Sequence, residues 1–385
     1  MRIGIMTTWN ACCGIFAHAQ LVCREWMKMG HDVVVFAPKS ERGKKSVPLD
    51  VEDEPFVYRN WEMYRYGDRI PDDNELDLYF DPEPILKEDF DVFVVEKPSS
   101  TPLGKLCKIF PEIRSKASTI AVVHEGRQIA NRNFYKVNFD VYTLFDERYA
   151  KLFDRLLPFD RTFIVPFPCH PVVEGDMMKA REKLGLPVDE DLKIVLTYGI
   201  RFKYLYEILP VLKELSKKYK LMFLMLSKHT ESADIGAKIA KQYSFTDFRY
   251  EAPSIERLYT YLHASNAVLL HREPVNGYIP VSSTVCLCLG ALRPILCPNI
   301  NFFETFEDEV IKYSSFRELK ERLIDVFENR GINRVLKAAR KYVNENSAEK
   351  VARRLLELAE SSRQIMELIT PKVKIPSFFK AYSTV

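Results

Sequence analysis

The segment Ala264–Pro298 contains the side chains whose types and spacing are best suited to chemistry. A short apolar run, Ala267–Leu270, predicts a buried strand, and a polar loop follows it. The loop contains His271, Arg272, Glu273, Asn276 and Gly277. An apolar stretch that predicts a helix comes next, and it opens with Ser282, Ser283 and Thr284.

A strand, a loop and a helix capped by Ser or Thr form an anion site at the carboxyl end of a parallel sheet. The first amides of such a helix have no intrahelical partner, and the helix dipole adds positive potential there. The three hydroxyl residues also fit an ordinary helix N-cap. A carboxylate, Glu273, beside a phosphate site indicates a ligand that has both phosphate and hydroxyl groups. A nucleotide-sugar has this chemistry.

Alternating strands and helices must position these residues. Near the N-terminus, an apolar strand over Arg2–Thr7, a helix over Phe16–Met29 and a strand over Asp32–Ala37 predict a right-handed βαβ unit. Gly14 lies in its first loop, where doubly wound sheets bind ligands, although a close contact between helix and sheet would explain it equally well. Residues 39–90 predict long loops with one or two edge strands.

The second half of the chain repeats this alternation after a Pro-rich connector at residues 166–171. We therefore expect domains at residues 1–168 and 169–362, with a segment at 363–385 that packs back on the first domain. A length of 385 residues agrees with two domains.

Composition excludes several classes of protein. With 47% hydrophobic and 28% charged residues, the chain can bury a sizeable core. A net charge of +3 does not indicate nucleic-acid binding. The sequence has no apolar run of about 18 residues, so we expect at most peripheral membrane contact through the tail. Because the chain starts directly as a strand, we expect a cytoplasmic protein. The eight cysteines form no CxxC pair, and a structural zinc is not expected.

Four segments together resemble the family 4 glycosyltransferases of the GT-B fold. They read CGIFAHAQLVCREWMKMGHDVVVFAP, REKLGLP followed by KIVLTYGIRFK, ERLYTYLHASNAVLLHRE, and ALRPILCP. The resemblance covers most of the chain except residues 40–90. It implies an α/β protein with two Rossmann-like, doubly wound domains that face each other across a cleft, and a C-terminal helix that crosses back to the N-terminal domain. The first domain would bind the acceptor and the second the donor.

The family transfers a hexose with retention of configuration, usually without a metal or other cofactor. The resemblance implies a GDP- or UDP-hexose donor and a glycan, lipid or small-molecule acceptor. Arg201 and Lys203 would hold the donor diphosphate in place of a divalent ion. Glu273 matches the first Glu of the family's E-x7-E motif and would contact the sugar hydroxyls. The remaining donor-site candidates are Gly14, Asn276, Gly277, Ser282, Ser283 and Thr284.

His124 ends a strand of the first domain, where the family has a His near the reacting sugar. Its imidazole would contact a donor hydroxyl or stabilise charge at the anomeric centre. The acceptor-site candidates are Trp9, Asn10, His18, Glu125 and Arg127. The implied mechanism is a front-face transfer, in which the acceptor attacks from the face that the diphosphate leaves.

The sequence departs from the family at the second Glu of the E-x7-E motif. Counting eight positions on from Glu273 gives Val281, and aligning back from Pro294 gives Leu287. That Glu usually recognises the nucleoside ribose. Its absence leaves open a non-catalytic GT-B nucleotide-sugar-binding or partner protein. Among enzymes, the alternatives are a nucleotide-sugar epimerase, which would need further acid/base carboxylates in the cleft, and a phosphorylase, which would need a Schiff-base Lys.

Overall fold

The structure is a computed structural model that describes residues 1–43, 47–65, 78–199 and 202–369. Within these ranges the chain forms two parallel sheets, of seven and six strands, with helices packed against them. The strand runs are almost continuously apolar, as in IGIM, VFVVE and KIVLTY. Strands that are buried on both faces need this composition, which favours parallel pairing.

The first sheet has the order β3-β2-β1-β4-β5-β6-β7. The order in which successive strands follow one another along the sheet reverses between β1 and β4, which are hydrogen-bonded parallel neighbours. The strands are β1 Arg2–Met6, β2 Asp32–Gly43, β3 Val57–Arg65, β4 Val92–Glu96, β5 Ser118–Val122, β6 Val141–Leu144 and β7 Thr162–Ile164. The helices of this half are α1 Gly14–Lys28, α2 Glu83–Leu86, α3 Leu103–Lys116 and α4 Glu147–Phe153.

The second sheet has the order β10-β9-β8-β11-β12-β13, and the order of successive strands reverses between β8 and β11. Its strands are β8 Lys193–Tyr198, β9 Leu221–Leu226, β10 Thr246–Arg249, β11 Ala267–Leu269, β12 Ile295–Pro298 and β13 Ile311–Tyr313. The helices of this half are α5 Met177–Lys183, α6 Leu205–Leu215, α7 Thr230–Gln242, α8 Ile255–Ala264, α9 Ser283–Cys288, α10 Phe316–Phe327, α11 Ile332–Glu345 and α12 Ala348–Ile369.

The last helix, α12, crosses back from the second half to the first, as the resemblance implies. It packs against α1, and the Trp26 indole nitrogen donates a hydrogen bond to the Ala352 carbonyl at 3.0 Å. Leu355 and Ala359 of the same helix are fully or almost fully buried. This contact begins earlier in the chain than residue 363, where the returning segment was expected to start. The domain boundaries themselves remain predictions.

Residues 39–90 contain an edge strand, as the sequence predicts, but the strand before it is longer than predicted. The strand β2 continues six residues past Ala37 to Gly43, and β3 pairs with it as the edge strand of the sheet. Polar residues concealed this extension of β2, because a strand near the edge of a sheet faces solvent and need not be apolar. None of the helices in the described ranges is long and apolar enough to cross a membrane.

Candidate functional site

A cavity of about 200 Å³ lies where the reversal points of the two sheets face each other. Doubly wound sheets bind ligands at such points, outside the carboxyl ends of the strands. The first half contributes the loop after β1 and the start of α1. The second half contributes the end of β8, Arg272 in the loop after β11, and the start of α9. The lining residues are Cys12, Cys13, Gly14, Ala17, Tyr198, Gly199, Arg272, Val281, Ser282, Ser283, Thr284, Leu287 and Phe302.

Two helix N-termini, those of α1 and α9, meet in this cavity. A Cβ atom placed on Gly14 would lie 2.9 Å from the Ser283 hydroxyl oxygen, so a glycine permits the close approach. The prediction that Gly14, Ser282, Ser283 and Thr284 belong to one site is consistent with this arrangement. Ser282 flanks α9 but makes no capping hydrogen bond through its side chain, so its hydroxyl does not act as the expected N-cap.

Arg272 is the cavity-lining cation that sequence reasoning did not select as a site residue. It follows β11, and its guanidinium lies 5.3 Å from the centre of the Phe302 ring. The preceding residue, His271, is buried and contacts the Tyr313 hydroxyl at 2.7 Å and Glu207 at 3.2 Å. These contacts fix the backbone from which Arg272 extends. Its position directly after a buried strand was the available sequence signal.

Several predicted donor residues lie elsewhere or outside the described ranges. Glu273, Asn276 and Gly277 are exposed, and none of them lines the cavity. Lys203 is exposed, with its ammonium 4.4 Å from the centre of the Tyr204 ring. Arg201 lies outside the described residues. The roles assigned to these residues remain predictions.

The loop that contains Asn276 and Gly277 is tied to the first domain. The Ile279 amide donates to the Gly126 carbonyl at 2.7 Å, and the Tyr149 hydroxyl donates to the Ile279 carbonyl at 3.1 Å. The Arg148 guanidinium also donates to the Pro280 carbonyl at 3.0 Å. The loop between β11 and α9 therefore reaches from the second domain to the first, and it contacts the first domain near His124, two residues beyond β5.

His124 belongs to a buried cluster with His18 and Glu96. The Glu96 carboxylate contacts His18 Nδ1 at 2.7 Å through one oxygen and His124 Nε2 through the other. The three side chains offer ligand-type atoms that lie within 4.8 Å of one another, the spacing of a metal site. His18 Nδ1 and His124 Nε2 already pair with different oxygens of Glu96, so hydrogen bonds alone account for the cluster. Metal independence remains a prediction.

The electrostatics of the cluster favour an ionised Glu96 carboxylate. Burial would raise the pKa of the Glu96 carboxyl, but the two histidines outweigh it and lower this pKa to about 2. Burial lowers the pKa of His124 despite the adjacent carboxylate. A carboxylate accepts hydrogen bonds from both sides, so each histidine donates to it.

The predicted acceptor residues occupy different surroundings. Trp9 and Asn10 are buried, and they donate hydrogen bonds to Glu54 and Asp53 at 2.8 and 2.9 Å. Glu125 is buried, accepts from the Ser99 amide at 3.0 Å through one oxygen, and has no hydrogen-bond partner at the other. Arg127 is partly exposed. The acceptor role of these residues, and of His18, remains a prediction.

No family model matches the sequence. The structure is similar to sucrose-phosphate synthase from Thermosynechococcus elongatus, with a TM-score of 0.62 and 15% identity over 96% of this chain and 100% of that chain. Anabaena HepE in complex with UDP and glucose gives a TM-score of 0.62 and 11% identity over 94% and 100% of the two chains. An E. coli trehalose-6-phosphate structure bound with UDP-2-fluoro glucose gives 0.56 and 10% over 94% and 99%. These likenesses show that the chain has the GT-B fold.

Proposed function

We propose that this protein is a glycosyltransferase that moves a hexose from a nucleotide-diphosphate sugar to an acceptor hydroxyl, with retention of anomeric configuration. The observation that carries the proposal is the cavity at the facing reversal points of the two sheets. It brings Gly14, Arg272 and the hydroxyls of Ser283 and Thr284 together. The similar structures that contain UDP or a UDP-sugar support a nucleotide-sugar as the ligand class.

The cavity is suited to the diphosphate of the donor. Arg272 supplies a cation that can pair with phosphate oxygens in two places at once, and the hydroxyls of α9 supply neutral donors. As the glycosidic bond breaks, negative charge grows on the leaving diphosphate, and these groups stabilise it. Arg201 and Lys203 would add charge on the loop after β8. Together, Arg272, Arg201 and Lys203 would take the role that a divalent ion has in other transferases.

A complete donor needs more space than this cavity has. Its volume of about 200 Å³ is below the ~300–1,000 Å³ that is usual for ligand sites. The domains would therefore open to admit the donor and then close to exclude water. The contacts of the β11–α9 loop with Gly126 and Tyr149 are the ones that opening would break.

Acceptor attack would take place on the side of the first domain. His124 lies two residues beyond β5 and is the predicted contact for a donor hydroxyl or for the anomeric centre. The acceptor hydroxyl would approach from the face that the diphosphate leaves and pass its proton to a leaving phosphate oxygen. This step forms the new glycosidic bond as the bond to the diphosphate breaks, and it needs no protein nucleophile.

A non-catalytic nucleotide-sugar-binding protein is the second candidate. Val281 and Leu287, the two positions that align with the family's second Glu, are apolar and both line the cavity. A site without that carboxylate contacts the nucleoside through other groups, and binding without transfer is consistent with this difference.

A transfer assay separates the two candidates. The protein is incubated in EDTA with UDP-glucose, GDP-mannose and related donors and a panel of glycan and lipid acceptors, and proton NMR follows the anomeric signal. We expect release of nucleoside diphosphate and a product with the donor's α configuration. Binding without diphosphate release for every acceptor would favour the second candidate, and a β product would exclude retention.

A further inference from the structure

The carboxylate of Glu96 has no predicted role, yet it lies between two histidines that do. It ends β4, one of the two strands at the reversal point of the first sheet, and its side chain is fully buried. His18 is in the second turn of α1, and the first turn of that helix lines the cavity. His124 follows the adjacent strand, β5. Three elements thus converge on one carboxylate.

Aromatic rings enclose this cluster. The His124 ring lies 4.9 Å from the Phe145 ring, and the His18 ring lies 5.4 Å from the Phe167 ring, measured between centroids. Phe145 and Phe167 contact each other at 5.4 Å. Hydrogen bonds in such an apolar enclosure are stronger than bonds exposed to water, and breaking one leaves a buried polar group unsatisfied. The enclosure therefore holds both imidazoles in one orientation.

The hydrogen bonds also select the tautomers. An ionised carboxylate only accepts, so His18 donates from Nδ1 and His124 donates from Nε2. The low pKa of Glu96 agrees with this assignment. A neutral His124 with its proton on Nε2 has a lone pair on Nδ1, and this nitrogen is then the one that can accept a hydrogen bond from a sugar hydroxyl.

We propose that Glu96 is a positioning residue for the transfer reaction: His18 holds one of its oxygens, and the other fixes His124 in the Nε2-protonated tautomer. This inference rests on the proposed function for its catalytic consequence, but the tautomer itself does not depend on any substrate. A misplaced or wrongly protonated His124 could not accept a hydrogen bond at Nδ1, and losses of this kind cost on the order of 100-fold in rate.

The test compares wild type with Glu96→Met and Glu96→Gln. Methionine has a similar size and removes both acceptors. Glutamine keeps one acceptor and turns the other into a donor, so one of the two imidazoles must change its tautomer. Two-dimensional ¹H–¹⁵N spectra of the histidine rings report the tautomers without substrate. We expect a pure Nε2–H form of His124 in wild type, a mixture in Glu96→Met, and at least one switched ring in Glu96→Gln.

Kinetics supply the second reading. In Glu96→Met, and in Glu96→Gln where the spectra show that His124 is the ring that switches, kcat should fall by about 100-fold while KM for the donor changes by no more than about threefold, because the cavity residues are intact. Where His18 is the ring that switches in Glu96→Gln, kcat of that variant should stay near the wild-type value. Asp140→Asn is the matched control. Asp140 is a buried carboxylate that accepts hydrogen bonds from Thr119 and Arg114. It directly precedes β6, so it lies at the amino ends of the strands of the first sheet, whereas Glu96 lies at their carboxyl ends. This variant should lose stability and keep kcat.

Three results would overturn the inference. They are an Nδ1–H tautomer of His124 in wild type, unchanged ring spectra with unchanged kcat in both variants, and a stoichiometric metal in purified wild type that Glu96→Met loses. The last would make the nitrogens ligands rather than hydrogen-bond donors. Absence of transfer by wild type with every substrate would instead contradict the proposed function, and the spectra would still decide the role of Glu96.

Discussion

At the scale of single residues, Arg272 is the side chain on which phosphate binding in the proposed site depends most. It is the cation that lines the cavity among the residues described, and it is braced against the Phe302 ring. A guanidinium in this place gives two hydrogen-bond donors to a phosphate and keeps its charge at every physiological pH.

Arg272→Gln tests this role because it keeps the polarity of the side chain and removes the charge. A charge-assisted hydrogen bond contributes about 1.5–3 kcal/mol, so Kd for a nucleoside diphosphate should rise by about 10- to 150-fold. Calorimetric titration measures the change. Arg322→Gln is the control, since Arg322 lies on α10 and pairs with Glu318 at 3.1 Å. Equal effects of the two variants would contradict a direct phosphate contact.

His170 in the connector gives a prediction of pH dependence. Its ring packs against the Tyr259 ring with centroids 4.2 Å apart, and burial lowers the pKa of His170 to about 4. Below pH 6.5 the unfolded chain binds a proton that the folded protein does not bind until about pH 4. The free energy of unfolding should therefore fall as the pH drops, with a contribution from His170 of about 2 kcal/mol between pH 6.5 and 5.

His170→Phe keeps an aromatic ring against Tyr259 and removes the titrating group. Urea unfolding at pH 7 and pH 5 should show a smaller loss of stability in this variant than in wild type. The other buried histidines continue to contribute in both proteins. A loss of the same size in the variant would mean that His170 is protonated in the folded state at pH 5.

The sequence located some site residues and not others for a physical reason. Gly14 was recognisable because a glycine after a buried strand marks a close approach, and His124 because it ends a strand. Glu96 reads as the last residue of an apolar strand, and its role appears only when α1 and β5 bring two histidines to it. Contacts between residues so distant in sequence leave no local pattern.

At the scale of elements, the β11–α9 loop connects the second half of the chain to the first. A Cβ atom placed on Gly126 would lie 1.9 Å from the Ile279 carbonyl oxygen. Only a glycine allows the two backbones to come this close. The helix that follows this loop, α9, has six residues and continues into a 3₁₀ turn over Leu289–Ala291.

Gly126→Ala should push this loop away from the first domain. We expect a loss of about 1–3 kcal/mol in the free energy of unfolding, the usual cost of inserting a methyl group where there is no space. Chemical denaturation followed by far-UV circular dichroism measures it. A variant as stable as wild type would show that the loop does not rest on Gly126 in solution.

Secondary structure was largely predictable because the apolar runs are long and well separated. The strands predicted at Arg2–Thr7 and Ala267–Leu270 are β1 and β11, and each ends one residue earlier than predicted. The edge strand β3 was only partly predictable. Its partner β2 runs on beyond its apolar part, and polar residues there are stabilised by backbone pairing rather than by burial.

At the scale of the whole molecule, α12 joins the two domains into one folding unit. It starts after the second half of the chain is complete and lies on α1 of the first half. Its inner face is apolar, with Leu355 fully buried, while Arg353 on the outer face pairs with Glu349 at 2.9 Å.

Leu355→Ala should destabilise both domains together. Removal of a fully buried leucine side chain costs about 2–5 kcal/mol, and circular dichroism and the fluorescence of Trp9, Trp26 and Trp61, which all lie in the first half, should report the same lowered midpoint. The exposed Arg353→Ala should change stability by no more than about 0.5 kcal/mol. Separate transitions for the two probes in wild type would contradict a single cooperative unit.

The central claim is that the cavity between the two sheets holds the diphosphate of a nucleotide-sugar, and one calorimetric experiment tests it directly. Wild-type protein in EDTA is titrated with UDP, GDP and ADP and with the three matching monophosphates. We predict that at least one diphosphate binds, and that it binds at least about tenfold more tightly than its monophosphate, because the second phosphate reaches Arg272 and α9. Equal affinities within every pair, or no binding by any nucleotide, would contradict it.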